Sequence, residues 1–345
     1  MSLEETAEIL AEEGKFDLST GVPGSVYKSN IPLFKTLMTN ACSYDCAYCQ
    51  NRCCGRTVYS YEPSELARIF AQLQSTGQVD GMFLTSAVGK DADSTMQKMV
   101  EAVKLVRGTG FKGYVHLKVL PGAGKDLIKQ AAQCADRLSI NIEAPSKSRL
   151  SELSSNKDFD SDIIKRQKWI AEARPRAGQT TQMVVGAGDE TDLEILEAAG
   201  TEYDELNLRR VYYSPFVPLV NTPLEDRRPE AQARVNRLYG VDFMVRQYGI
   251  PLEEFKEIMV GNQLPPGDPK VKLALQRFEK PVDLNEASFE DLIRVPGIGP
   301  NTAYLLTAIK GLNVRRRKHL RALGVSKRAE PFLKIDGHSQ KRLTD

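Results

Sequence analysis

The chain has 345 residues, 41% hydrophobic and 27% charged. This length suits one large α/β domain plus a smaller one, or two ordinary domains, and the composition excludes disordered, collagen-like and membrane-embedded classes. The formal net charge is only +2, but residues 301–345 hold 11 Lys or Arg against 3 Asp or Glu. The near-neutral total therefore combines a C-terminal tail of net charge +8 with a remainder of net charge −6.

The chain contains no apolar run of about 18 residues, and its N-terminus is acidic and amphipathic. We therefore expect a cytoplasmic protein with no membrane association. Six cysteines in a reducing compartment do not indicate a disulfide framework, and five of them lie between Cys42 and Cys54. This cluster requires a metal or catalytic explanation.

Short β-rich apolar runs alternate with longer helical patterns over residues 34–215. Six strand-then-helix units at this spacing predict a parallel sheet covered by helices, although periodicity does not decide whether the sheet is open or curled into a partial barrel. The predicted strands are Phe34–Thr39, Gly81–Thr85, Gly113–Val119, Arg137–Glu143, Thr180–Gly186 and Glu205–Tyr213.

Beyond Tyr213 a proline-rich segment leads into helical patterns only, and a second Pro/Gly-rich break covers residues 263–269. The predicted divisions are an N-terminal helical extension (1–33), an α/β core (34–215), a helical bridge and linker (216–280) and an all-α C-terminal module (281–345).

Cys42, Cys46 and Cys49 form a C-x3-C-x2-C motif directly after the first predicted strand. Three thiolates at this spacing can surround one soft metal centre, and no zinc-ribbon partner motif accompanies them. A [4Fe–4S] cluster normally takes four cysteines, so one held by three leaves an iron open to another ligand.

This motif, with Tyr48 in the aromatic position, resembles that of the radical S-adenosylmethionine (SAM) superfamily. The resemblance implies a partial (β/α)6 TIM-like barrel in which each of the three cysteines binds one iron and SAM chelates the fourth. It also implies an enzyme that takes one electron from an external reductant and cleaves SAM to a 5′-deoxyadenosyl radical.

The same resemblance suggests further cofactor-binding residues in later strands. The matches after the second strand and in the fifth strand are partial, and for the sixth strand the pattern leaves open whether the face of Arg209 or that of Arg210 points inward. The candidates are Tyr48 beside the cysteines, Thr85, Ser86 and Ala87 after the second strand, Asn141 and Glu143 in the fourth, Val185 and Gly186 in the fifth, and Arg209 in the sixth.

The catalytic residue stays unknown, with four weak candidates. His116 and Tyr213 lie on predicted strands, where a packed core residue is the commoner role. Cys53 and Cys54 lie too close to the motif to ignore; a buried structural thiol is the commoner reading, and a hydrogen-atom donor is the alternative.

The C-terminal module contains a tight turn between two predicted helices, formed by Pro296, Gly297, Ile298 and Gly299 and followed by Thr302. This turn resembles a helix-hairpin-helix, whose backbone amides can approach a phosphate, although a plain helical hairpin would have similar residues. The neighbouring cations favour the DNA-binding interpretation. They begin with Arg315, Arg316, Arg317 and Lys318.

The two motifs together resemble the family of DNA modification or repair radical SAM proteins. That resemblance implies DNA as a partner and an association with a uracil-DNA-glycosylase-like protein. Two alternatives stay open: a radical SAM enzyme that modifies RNA such as tRNA, and a non-catalytic iron–sulfur DNA-binding scaffold for the glycosylase-like partner.

Overall fold

A computed structural model of the chain describes residues 3–14, 26–28, 32–52, 57–309 and 317–335. The chain divides into two compact units, one of residues 1–190 and 197–231 and the other of residues 191–196 and 232–345. Each unit is described by itself below. The predicted domain boundaries at residues 33, 215 and 280 stay predictions.

The first unit is built on a seven-stranded sheet whose strands lie side by side in chain order. β1 and β2 pair antiparallel, whereas β2 to β7 are all parallel and form a half-barrel. The prediction of an α/β fold with a partial barrel is confirmed. The strands are β1 (Val26–Lys28), β2 (Pro32–Leu37), β3 (Gly81–Thr85), β4 (Tyr114–Lys118), β5 (Arg137–Ser139), β6 (Gln179–Val185) and β7 (Arg210–Pro215).

Helices connect the parallel strands and cover their outer face. Met82, Leu117 and Leu138 of three neighbouring strands are fully buried in the core formed there. The helices up to β7 are α1 (Leu3–Glu13), α2 (Pro63–Ser75), α3 (Ala92–Gly108), α4 (Lys125–Cys134), α5 (Lys147–Leu153), a π-helix (Phe159–Ile164), α6 (Lys165–Ala173) and α7 (Asp192–Leu206).

Three details of the sheet differ from the predictions. β1 was not predicted, because three residues are too few for a periodic signal. β5 ends at Ser139 rather than Glu143, because the chain leaves the sheet and makes only an isolated bridge from Glu143 to Met183. The last strand begins at Arg210 rather than Glu205, because α7 continues to Leu206.

The described part of the second unit is helical and contains only isolated β-bridges. Leu292, Val295, Ala303, Leu306 and Leu320 are buried and form part of its core. The helices are α8 (Gln232–Tyr248), α9 (Leu252–Lys256), α10 (Pro269–Arg277), α11 (Phe289–Arg294), α12 (Pro300–Ala308), α13 (Arg317–Ala322) and a 3-10 helix (Lys327–Phe332). Among the described helices of the chain, none is long and apolar enough to cross a membrane.

Candidate functional site

A cavity of about 200 Å3 lies at the carboxyl ends of the parallel strands of the first unit. This end of a parallel sheet is where ligands of α/β proteins bind, because loops from several strands meet there. The lining includes the strand ends Leu37, Thr85, Lys118, Gln182, Val184, Ser214 and Pro215 and the loop residues Cys42, Tyr44, Cys46, Tyr48, Cys49, Asn51, Ser86, Ala87, Asn141, Glu143 and Lys157.

The loop that carries the three cysteines is fixed by hydrogen bonds to neighbouring segments. The backbone amides of Ser43 and Ala47 donate to the carbonyls of Val88 and Leu153, each at 2.7 Å. Burial opposes ionisation of Asp45, but hydrogen bonds from Ser154 and Ser155 lower its pKa to about 2. The loop is therefore held by protein contacts on two sides.

Cys42, Cys46 and Cys49 are all free thiols that line the cavity. Burial raises the pKa of Cys42 above its ordinary value. Burial, together with the charge of Cys46, raises the pKa of Cys49 to about 12. Without a bound metal the thiols of Cys42 and Cys49 are protonated at neutral pH, and a metal would stabilise the thiolate form instead.

A row of polar side chains crosses the cavity from β4 to the segment after β5. Lys118 donates a hydrogen bond to the amide oxygen of Asn141, and the Asn141 amide nitrogen lies 3.5 Å from a carboxylate oxygen of Glu143. Tyr48 is half-buried beside Glu143; desolvation and then the Glu143 charge raise the pKa of its phenol. The structure thus brings Tyr48, Asn141 and Glu143 together, as their predicted role requires.

Glu143 has a left-handed backbone, with a φ of 67°. Its backbone amide donates to the carbonyl of Gln182 at 3.0 Å and its carbonyl accepts from the amide of Val184 at 2.8 Å. These bonds to β6 hold a conformation that is unfavourable for a residue with a Cβ atom. Such an outlier at a cavity wall is typical of a functional position.

Lys157 is a cavity residue that the sequence analysis missed. Its side chain is only 6% exposed, and its ammonium lies 3.8 Å from Glu143 and 5.2 Å from the centre of the Tyr44 ring. It follows α5 in a segment of serines, Asn156 and aspartates whose composition indicates a solvated loop. No pattern in the sequence marks this lysine as buried.

The structure places three predicted cofactor-binding residues away from the cavity lining. Alternation along β6 puts Gln182 and Val184 in the lining, so Val185 faces the other way, and Gly186 follows beyond the strand. Arg209 is exposed and packs against Gly178 before β7 begins. On β7 it is Ser214 that lines the cavity.

The two catalytic candidates that the structure describes, His116 and Tyr213, are not brought together. His116 shares a hydrogen bond of 2.7 Å with Ser139 and packs edge-on against Phe83 inside the half-barrel, away from the cavity lining. Tyr213 is fully buried on the face of β7 opposite to Ser214. Cys53 and Cys54 lie outside the described residues.

The loop after β6 is folded around two side chains. The backbone amides of Gly186 and Gly188 donate to the buried carboxylate of Glu190. From the other side, Arg227 donates to the carbonyl of Gly186 at 2.8 Å and to Asp189 at 2.8 Å. These hydrogen bonds hold Gly186 in place, although Gly186 does not line the cavity.

In the second unit, the predicted hairpin is a tight turn between α11 and α12. Gly297 has a φ of +82°, and a Cβ atom there would lie 2.9 Å from the Cβ atom of Ser326. Lys270 is buried behind the turn and donates to the carbonyl of Ile298 at 2.5 Å. Thr302 lies on α12, beside Gly324. The turn is therefore rigidly supported from inside the unit.

The predicted basic residues near this hairpin are described only in part. Arg315 and Arg316 lie outside the described residues, and of Arg317 only its place at the start of α13 is described. Lys318, Lys327 and Arg328 are exposed.

Comparison with known proteins identifies the core. The family model of the radical SAM superfamily matches residues 36–201. The α/β core is thus similar to the radical SAM domain over these residues. The superfamily's cofactors are a [4Fe–4S] cluster and SAM, and its members are enzymes that cleave SAM reductively. A comparison with curated protein sequences found no match.

Solved structures share the fold of the radical SAM domain. Methylornithine synthase (PylB) is 15% identical with a TM-score of 0.50, and the match covers 61% of this chain and 60% of that one. SuiB of Streptococcus suis bound to S-adenosylmethionine is 14% identical with a TM-score of 0.50, over 63% of this chain and 49% of that one. This chain therefore spans roughly half to three fifths of the proteins that it matches.

The residues of the cavity fit these cofactors. The three free cysteines converge on it, and within the described residues the buried side-chain oxygen of Asn51, two positions after Cys49, has no hydrogen-bond partner. No group of three or more His, Cys, Asp or Glu among the described residues is arranged around a single metal ion. A cluster whose irons each take one cysteine does not require such an arrangement.

Proposed function

We propose that this chain is a radical SAM enzyme that acts on DNA in modification or repair. The observation that carries the catalytic part is the meeting of three free cysteines with Asn141 and Glu143 around one cavity. In this proposal Cys42, Cys46 and Cys49 hold the [4Fe–4S] cluster. When bound, the cluster and SAM supply a 5′-deoxyadenosyl radical that abstracts hydrogen from a substrate carbon.

The protein's own residues bind and shield the cofactor in this proposal. Asn141 and Glu143 offer an amide and a carboxylate to the hydroxyl groups of a ribose, while Thr85, Ser86 and Ala87 offer backbone groups and hydroxyls beside the cysteines. Apolar residues at the mouth, including Phe216, Val217 and Leu219, exclude water from the reacting groups. An enclosed cavity also keeps out oxygen and other solutes that would quench a radical.

The DNA-directed part of the proposal is supported by the hairpin of the second unit. α12 has nine residues and begins at Pro300, directly after the turn. The first backbone amides of this helix therefore point toward Gly299 and the turn. Lys327 and Arg328 are exposed, and the Cβ atom of Arg328 lies 3.2 Å from the place that a Cβ atom of Gly297 would take. Backbone amides next to cations suit a phosphate chain and do not depend on base sequence.

The catalytic part is tested with anaerobically reconstituted protein. We expect four irons per chain and, after reduction, conversion of SAM to 5′-deoxyadenosine. Replacement of Cys42, Cys46 or Cys49 by alanine abolishes both, whereas Cys134→Ser, at a free cysteine on α4, changes neither. A fully loaded protein that leaves SAM intact with DNA and a glycosylase-like partner present would support the scaffold alternative instead.

The choice between DNA and RNA is tested by binding at several salt concentrations. On duplex DNA the slope of log K against log salt is about −0.9 for each neutralised phosphate. Lys327→Ala combined with Arg328→Ala makes this slope shallower by about 1 to 2, because two contacts with phosphates are lost. The matched control replaces Lys129 and Lys168, two exposed lysines of the first unit. Tighter binding to a tRNA than to duplex DNA would favour the RNA-modifying alternative.

A further inference from the structure

Lys157 is a buried cation at the wall of the cofactor cavity. It enters from the segment between α5 and the π-helix, not from a strand end, and only 6% of its side chain is exposed. A buried ammonium is costly unless opposite charge or hydrogen bonds compensate for it. The groups around Lys157 therefore indicate the function of its positive charge.

A carboxylate and an aromatic ring lie beside the ammonium. Its nitrogen lies 3.8 Å from a carboxylate oxygen of Glu143 and 5.2 Å from the centre of the Tyr44 ring. Tyr44 stands between Cys42 and Cys46 in the cysteine loop, and the ion pair with Glu143 compensates for burial of the ammonium. The cation thus lies between the loop that carries the cluster motif and the carboxylate predicted to bind ribose.

The charge of a cluster held by three thiolates depends on its redox state. The oxidised [4Fe–4S]2+ core with three thiolates carries −1, and one further electron makes it −2. A fixed positive charge beside one of those thiolates stabilises the more negative state more strongly. Hydrogen bonds to cluster sulfurs and nearby charge are known determinants of reduction potential.

We propose that Lys157 is a positioning residue that raises the reduction potential of the cluster and holds Glu143 at the cavity wall. Lys118 provides an internal comparison, because it lines the same cavity and donates to Asn141, a residue outside the cysteine loop. The inference rests on the cluster site of the proposed function and not on DNA as substrate.

The test is a redox titration of the reconstituted cluster, followed by electron paramagnetic resonance without SAM or nucleic acid. In Lys157→Met we expect the ratio of reduced to oxidised cluster at a fixed potential to fall about tenfold, which is about 59 mV for one electron. Lys157→Arg keeps the charge and the wild-type potential. Lys118→Met, the matched control, shifts the ratio much less.

A second variant keeps the test decisive if Lys157→Met does not fold. Lys157→Gln retains a hydrogen-bond donor without the charge, and we expect it to lower the potential in the same direction. An unchanged potential in a fully loaded Lys157→Met or Lys157→Gln protein would overturn the proposal, as would an equal shift in Lys118→Met. Failure of the wild-type chain to bind four irons would overturn the proposed cluster site itself.

Discussion

Glu202 is a buried acid on α7 whose contacts are confined to the interior of the first unit. The amide nitrogen of Gln167, on α6, donates to its carboxylate at 2.7 Å, and only 4% of the residue is exposed. Burial raises the pKa of Glu202 to about 8, with the hydrogen bond acting in the opposite direction. The folded state therefore prefers the neutral acid over a wide pH range.

This shift predicts a pH dependence of stability. Because the folded pKa lies above the unfolded value, the stability contribution is fully present below about pH 4.5, falls as the pH rises, and is lost above about pH 8. We expect Glu202→Gln to raise the free energy of unfolding at pH 9, relative to wild type, by a few kcal/mol more than it does at pH 5. Denaturant unfolding at both pH values measures this difference.

Glu205 supplies the control for that measurement. It lies three residues further along the same helix and is exposed, so Glu205→Gln removes a carboxylate without removing a buried one. Equal effects of the two substitutions at pH 9 would show that the burial of Glu202 does not govern the pH dependence.

At the level of single residues, the structure shows which site residues could be predicted from the sequence. Cys42, Cys46, Cys49 and Tyr48 form a contiguous motif, so their meeting at one cavity requires only the loop after β2. Lys157 reaches the cavity through a fold that brings the end of α5 to the cysteine loop. A contact between segments more than 100 residues apart leaves no local pattern to read.

Strands and loops show where periodicity succeeds and where it fails. Alternation correctly separated His116 and Lys118 from Val115 and Leu117 on β4, because a buried outer face restricts every second residue. It failed at the end of β5 and at the start of β7. There, hydrogen bonds with neighbouring segments decide where the strand begins or stops, and these depend on tertiary structure.

The loop after β6 allows a prediction about how one glycine contributes to stability. Gly186 has a φ of +88°, and a Cβ atom there would lie 2.7 Å from the Cβ atom of Glu230. Gly186→Ala should therefore lower the free energy of unfolding by at least about 1 kcal/mol, through backbone strain and the clash. Thermal unfolding of the variant measures the loss.

Gly200 is the matched control because it lies within α7 and a Cβ atom there would meet no atom within 4 Å. Gly200→Ala should instead stabilise the protein by up to about 1 kcal/mol, since alanine is the better helix former. A loss of stability in Gly200→Ala, or none in Gly186→Ala, would contradict this view of the two glycines.

At the scale of the whole molecule, the charge of the chain is divided between its parts. The small net charge of +2 combines a basic end with an acidic remainder, and the cluster motif and the hairpin belong to different compact units. The two proposed activities should therefore be separable by substitution. In the proposed function, binding to DNA depends on the second unit and cleavage of SAM on the first.

Gly297→Ala and Cys46→Ala test this separation. A Cβ atom at Gly297 would lie 2.9 Å from Ser326 and 3.1 Å from the backbone nitrogen of Ala329, so the hairpin must shift. We expect Gly297→Ala to weaken duplex binding at least about tenfold and to leave SAM cleavage without DNA unchanged. Cys46→Ala should show the reverse pattern. Binding by fluorescence anisotropy and product analysis by chromatography measure the two effects.

Gly267→Ala is the control for the hairpin variant. Gly267 also has a left-handed φ, +104°, and belongs to the same unit, so alanine strains the backbone there without touching the hairpin. If Gly267→Ala weakens DNA binding as much as Gly297→Ala, the effect comes from general loss of stability and not from the hairpin.

The anchoring of the cysteine loop bears on how the protein recovers after exposure to oxygen. Hydrogen bonds of Ser43, Asp45 and Ala47 join the loop to segments that contain none of the three motif cysteines, so these contacts do not require the cluster. A chain that has lost its cluster to oxygen should keep the receptor for a new one, with little ordering entropy left to lose on reassembly. Oxidative loss of the cluster would then inactivate the enzyme reversibly, and its restoration would need only iron, sulfide and reduced thiols.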